Sequence, residues 1–143
     1  MVVRYSKEYK NIFEDMANAM HQESVKFCDM SFDTNKLVEI ANTHYCGLYV
    51  KDSQPVGFML GVKHNTFFGH DVVATELMLY VKPEHRGGFA AIRLAQDFEK
   101  WCRENKCVEI NVGSSVQVAT DTTKKLYTSL GYTERGFVAY KEL

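Results

Sequence analysis

Two adjacent glycines, Gly87 and Gly88, stand between the apolar run Leu77–Val81 and a segment in which Ala91, Leu94, Ala95, Phe98 and Cys102 recur at three- and four-residue spacing. The run is bounded by Pro83 and has the length of a buried strand. The spacing behind it is that of an amphipathic helix with one face on a sheet. A tight Glu84-His85-Arg86-Gly87-Gly88 loop joins the two. Strand, glycine loop and helix in this order gather free backbone N–H groups and the positive end of a helix dipole at one point, which suits a phosphate group. A strand-to-helix turn with no ligand has the same local signature, so the glycines alone do not decide between the two.

Other chemistries lose their support in turn. No Lys-Ser or Lys-Thr follows the glycines and no Gly-x-Gly-x-x-Gly occurs, so neither common nucleotide fingerprint is present. His21, His44, His64, His70 and His85 lack ligand spacing, and no metal site is expected. Ser114-Ser115 has no Gly-x-Ser-x-Gly context, which argues against a serine hydrolase. Cys28, Cys46, Cys102 and Cys107 form no Cys-x-x-Cys pair and read as free thiols of a reducing cytoplasm.

The totals fit one domain over residues 1–143, large enough for a core without disulfides or metals. Seventeen basic against eighteen acidic side chains, a net charge of -1, point to neither a nucleic-acid nor a membrane partner. No apolar run approaches the ~20 residues that span a bilayer. The N-terminus has no secretory core, and a cytoplasmic location is expected.

The elements that must position the glycine corner follow from the same patterns. Val2–Tyr5 suits a short edge strand, and Ser6 an N-cap before a helix with Tyr9, Ile12, Phe13, Met16 and Met20 inward. Asp33 is expected to cap a second helix that turns Leu37, Ile40 and Ala41 inward. Tyr45–Lys51 and Val56–Lys63 flank the turn signal Asp52-Ser53-Gln54-Pro55 and predict an antiparallel hairpin. After a second turn over residues 64–70, Asp71–Val81 continues the sheet. Val108–Val112 follows the central helix as a strand, so it should run parallel to Asp71–Val81. Residues 113–119 carry no assignable pattern; Thr120 or Asp121 caps a helix through Leu130 that stops at Gly131. Tyr132–Thr133 and Phe137–Lys141, turned by Gly136, are expected as closing strands. The fold class is mixed α/β.

Two stretches give a family resemblance. Val81-Lys82-Pro83-Glu84-His85-Arg86-Gly87-Gly88-Phe89-Ala90-Ala91 resembles the Val-x-Pro-x-x-Arg/Gln-x-x-Gly-x-Gly/Ala run of the GNAT N-acetyltransferases. Val81, Pro83, Arg86 and Ala91 match it, while Phe89 stands where that family has glycine. Leu126-Tyr127-Thr128-Ser129-Leu130-Gly131-Tyr132 is similar to the family's Leu-Tyr-x-x-Leu-Gly-Phe/Tyr element. The likeness covers the second half of the chain by motif and the first half by element order; small members encoded in bacterial viruses look similar.

The resemblance implies a mostly antiparallel mixed sheet flanked by about four helices, with one parallel strand pair splayed apart. It implies acetyl-CoA as co-substrate, no metal, and an amine acceptor on a small molecule or protein. Carried over by position, the backbone of Leu79, Tyr80 and Val81 would meet the pantetheine arm. Arg86, Gly87, Gly88, Phe89, Ala90, Ala91 and Ile92 would hold the pyrophosphate. Tyr127 falls at the position of the family's proton donor to the leaving thiolate; the alternative is a packing tyrosine. Glu76 is the first candidate for the base and Glu109 the second; a one-residue bulge would exchange Glu76 for Thr75. Asp71, His64 and His70 lie near the same hairpin mouth. Phe27, Phe32, His64, Phe67 and Phe68 are candidates for the acceptor pocket, and exposed aromatics there would equally suit a homodimer contact. A non-catalytic CoA-binding or interaction domain, with Phe89 as its motive, and another acyl-CoA donor are the alternatives.

Overall fold

The computed structural model describes residues 1–24, 29–113 and 120–143. Phe27, Cys28, the Ser114-Ser115 pair and the unassigned stretch 114–119 lie outside the described residues.

Among the described residues five strands form one sheet in sequence order, β1 (Val2–Arg4), β2 (Tyr45–Lys51), β3 (Gln54–Asn65), β4 (Val72–Val81) and β5 (Glu109–Asn111). The first four pair antiparallel and β4 pairs with β5 in parallel, the mixed arrangement expected. The described residues also form four α-helices that cover it: α1 (Lys10–Glu23), α2 (Thr34–Thr43), α3 (Ala90–Glu104) and α4 (Thr120–Ser129).

The sheet separates two apolar layers. Phe13, Met16, Ala17 and Met20 of α1 and Ala41 of α2 pack on Cys46, Leu48, Phe58, Leu60 and Tyr80. On the other face Leu94, Ala95, Phe98, Trp101 and Cys102 of α3, with Tyr127 of α4, pack on Tyr45, Met59 and Ala74. Alternation along β2 and β3 assigns each strand residue to its layer. Phe98, wholly buried, lies so close over Gly61 that a Cβ there would collide with the ring. That glycine sets the approach of α3 to the sheet.

Several expectations are corrected. Ser6 precedes a single 3-10 turn, Lys7–Tyr9, and its hydroxyl donates to Glu8 rather than capping a backbone amide. Asp33 does cap α2, accepting from the Asn35 amide at 2.9 Å. The hairpin turn is shorter than predicted: Asp52 and Ser53 alone turn the chain, at φ 51° and 65°, in the left-handed pair that suits the strand twist. Gln54 and Pro55 belong to β3, and Pro55 is tolerated because pairing with β4 begins only at Gly57. The two closing strands are absent. Past Gly131 the described chain is irregular, with Phe137 and Val138 almost wholly exposed, so their apolar pattern has no ladder to join.

Candidate active site

The strands β4 and β5 part early. Their register is Val73–Glu109, Ala74–Ile110 and Thr75–Asn111, and there it ends. From Glu76 to Val81 β4 keeps its partner β3 but has no strand on the other side among the described residues. Unpaired backbone along a strand edge must find other partners. Here it borders a cavity of about 720 Å³, whose walls include Glu76–Val81, Gly87, Gly88 and, from α4, Thr122, Lys125, Leu126 and Ser129. That volume is typical of a site for a small organic ligand.

The start of α3 closes one end of the cavity. Gly87 takes φ +88°, the left-handed conformation only glycine adopts cheaply, and turns the chain into the helix. Phe89, the departure from the family pattern, sits at φ -96° with its ring exposed, so the loop does not need glycine there. Among the described residues the amides of Gly87, Gly88, Phe89, Ala90, Ala91 and Ile92 make no backbone hydrogen bond; the first to do so is Arg93, to the Phe89 carbonyl at 2.9 Å. Such a run at a helix start is an anion cradle.

Arg86 stands apart from its neighbours. Its amide donates to the Pro83 carbonyl at 3.3 Å. Its Nε donates to the Val81 carbonyl at 2.7 Å, and its two terminal nitrogens donate to the Glu23 carboxylate at 2.5 and 2.7 Å. The guanidinium also lies over the Tyr80 ring, 5.5 Å from its centre. The bidentate bond from Arg86 holds the Glu23 carboxyl below the usual range. Leu79 is half-buried toward α3, whereas Tyr80 and Val81 are buried; the Val81 carbonyl is already an acceptor for Arg86.

A bulge decides where Glu76 points. The β3 partner of Met78 is Leu60 and that of Glu76 is Gly61, so Leu77 is extra on its strand. Parity therefore flips: Ala74 and Leu79, an odd number of residues apart, pack in the same layer under α3 and α4. Glu76 turns to that side as well, and the Tyr127 hydroxyl donates to its Oε1 at 3.5 Å, the long end of the range. Thr75, its rival, faces away and meets His64 Nε2 at 3.2 Å. Burial pushes the Glu76 carboxyl up to about 7, against a smaller opposing effect of the Tyr127 hydroxyl. Burial first, then the Glu76 charge, holds Tyr127 far above the ordinary phenol value, so it stays protonated at any physiological pH.

Helix α4 ends so as to fix Tyr127. Gly131 at φ +91° lets its amide reach the Thr128 carbonyl at 3.1 Å and the Tyr132 amide reach the Tyr127 carbonyl at 3.0 Å. This paired closure is the Schellman motif, and its usual apolar contact is here the Tyr127–Tyr132 ring pair, 5.2 Å between centres. Tyr127 is 5% exposed and does not line the cavity; its hydroxyl reaches Glu76, which does.

The remaining candidates lie elsewhere. Glu109 sits beside Val73 and accepts from Arg135 at 2.8 Å, away from the cavity. His70 and Asp71 stay in the β3–β4 turn, and Phe67 and Phe68 at its tip are exposed and meet each other edge-on. Phe32 stacks on His21 at 4.3 Å. None of Phe32, His64, Phe67 and Phe68 lines the cavity; Met20 and Glu23 of α1 line that wall instead. No local pattern marks Glu23, whose partner is 63 residues away. The face of α4 formed by Thr122, Lys125, Leu126 and Ser129 was readable as helical spacing once the cavity is known.

Comparison with known proteins agrees with this geometry. The profile of the acetyltransferase (GNAT) family matches residues 7–132. No curated protein matches the chain by sequence. Similar solved structures include an aminoglycoside acetyltransferase from an uncultured soil metagenomic sample, at 14% identity and TM-score 0.77, over 100% of this chain and 97% of that one. The ribosomal-protein-alanine N-acetyltransferase from Brucella melitensis biovar Abortus 2308 has 15% identity and TM-score 0.77 over the same shares. AAC(6')-Iy in complex with the bisubstrate analog CoA-S-monomethyl-acetylneamine has 18% identity and TM-score 0.77, again over 100% and 97%. With the profile running from the turn before α1 to the residue that locks the end of α4, the chain belongs to the acetyltransferase (GNAT) family.

Proposed function

We propose that the protein transfers an acetyl group from acetyl-CoA to a primary amine of a small molecule or a protein. The observation that carries this reading is one cavity holding both a carboxyl raised to about 7 and the unpaired amides that open α3. Bound acetyl-CoA supplies the thioester carbonyl and the thiol leaving group. The amides of Gly87–Ile92 suit its pyrophosphate, and the unpaired edge of β4 at Leu79–Val81 suits the amide-bearing arm.

Glu76 acts as the base. A carboxylate with a value near 7 takes a proton from an incoming ammonium more readily than an ordinary glutamate does. The new C–N bond forms as the C–S bond breaks, and the sulfur collects a proton. Protonated Glu76, which lines the cavity, hands that proton on to the sulfur, and the Tyr127 hydroxyl, donating to Glu76 from behind, steadies the carboxylate that results. The second proton of the ammonium leaves to solvent. Both kinds of acceptor named in the similar structures, aminoglycoside and ribosomal-protein alanine, are amines, which supports this substrate class and leaves both acceptor types in play.

The test is thiol release from acetyl-CoA in the presence of simple amines, aminoglycosides and peptides with free N-termini. At least one class should drive release that Glu76→Gln suppresses. Tight CoA binding with no release across all three would instead establish a CoA-binding domain without transferase activity.

A further inference from the structure

A pyrophosphate brings full negative charge, whereas backbone amides at a helix start offer only partial positive charge. A side-chain cation is the usual complement. Arg86 is the one that the glycine motif places in the loop, yet each of its three guanidinium nitrogens already donates, to the Val81 carbonyl and to both oxygens of Glu23, leaving one further N–H on each terminal nitrogen. Its charge is matched by that carboxylate. Drawing Arg86 away would leave Glu23 unpaired in the half-buried wall of the cavity, a costly arrangement.

Among the described residues the other strong cation lining the cavity is Lys125. Thr122, Lys125, Leu126 and Ser129 fall at i, i+3, i+4 and i+7, so one face of α4 looks into the cavity. Lys124, one position away and off that face, is tied to Glu134 at 2.9 Å. Lys125 is exposed and makes no ion pair among the described residues. The cavity thus has a committed cation on the loop wall and an available one on the α4 wall.

We infer, on the reading that acetyl-CoA is the donor, that Lys125 is a phosphate-recognising residue of this site and that Arg86 is a positioning residue which braces α1 through Glu23. A lysine suits the first task, being a mobile point charge on a long stem, and a planar guanidinium suits the second, matching a carboxylate with two parallel bonds. The phosphate addressed is the pyrophosphate or the ribose phosphate of CoA; both are the same chemistry.

Calorimetric titration of the full chain with CoA, dephospho-CoA and pantetheine separates these roles. Lys125→Met should weaken CoA about tenfold and flatten its salt dependence, as expected for one lost charge-assisted contact. Pantetheine, which has no phosphate, should bind Lys125→Met and the parent chain alike, and Lys124→Met should bind CoA as the parent does. A loss that persists with dephospho-CoA assigns Lys125 to the pyrophosphate, and one that vanishes assigns it to the ribose phosphate; either supports the inference. Arg86→Met should weaken CoA and pantetheine by the same factor, and its loss in Tm should not add to that of Glu23→Gln, because the two residues act as a unit. CoA binding and salt dependence unchanged in Lys125→Met would overturn the inference. So would a phosphate-selective loss in Arg86→Met. A parent chain that binds no CoA removes the donor reading itself, and the inference with it.

Discussion

Between Val73 and Thr75, β4 has a strand on each side; between Glu76 and Val81 it has one among the described residues. The first part is closed structure, with Ala74 wholly buried between sheet and helices. The second is an edge in the middle of a sheet, an arrangement that costs unpaired backbone unless something else meets it. The extra residue Leu77 lies at the boundary, 39% exposed and lining the cavity. The same strand therefore holds the fold together at one end and presents it to a ligand at the other. The difference teaches that stability and chemistry should separate along β4 and along the helices that lean on each part.

The largest effect should come from breaking the closed part. Phe98→Ala removes the ring seated on Gly61 and should cost about 3–5 kcal/mol, read as a fall in denaturation midpoint at constant m. Next is Glu76→Gln at the start of the open part, which should lower kcat/KM about a hundredfold. The parent rate should rise through a pH near 7 as Glu76 ionises, and the variant should lose that limb; an unaltered profile would clear Glu76 of the role of base. Stability should move the other way. A carboxyl raised in the folded state contributes fully below its unfolded value and loses that contribution as pH climbs through about 7, so the parent should lose Tm relative to Glu76→Gln between pH 5 and pH 8. Tyr127→Phe should lower turnover about tenfold with CoA affinity retained, and unchanged turnover would remove Tyr127 from the mechanism. The smallest effect serves as the control for the comparison. Lys106 ends α3 at φ 59°, and Lys106→Gly should raise stability by about 0.5 kcal/mol without touching turnover.

The open part was the more legible in sequence. Its strand, glycine turn and helix announce themselves through length, spacing and Pro83, all of them local signals. Glu76 and Tyr127 were reached through family position, and the structure brings them together at 3.5 Å. Which way Glu76 faces was not legible, because the bulge at Leu77 arises from pairing with β3 and leaves no mark in composition. The pairing of Arg86 with Glu23 was not legible for a related reason: the two residues are joined by the fold, not by proximity in the chain. The closing strands failed because alternation in 137–141 implies a ladder only if a neighbour is available. The turn at Asp52-Ser53 is shorter than its sequence signal, since Pro55 reads as a breaker until the late start of its second neighbour is known.

The single surplus residue at Leu77 has a consequence for how this chain tolerates change in length. Removing it would leave Glu76 and Met78 as direct neighbours opposite Gly61 and Leu60, so the two strands would pair without interruption and the other side chains of β4 would keep their faces. A residue gained or lost elsewhere between Val73 and Val81 has no such absorbing point and would turn the stretch beyond it toward the opposite layer. Loops in this protein can be trimmed or lengthened at modest expense; within β4 the same tolerance exists where the strand already carries a spare amino acid.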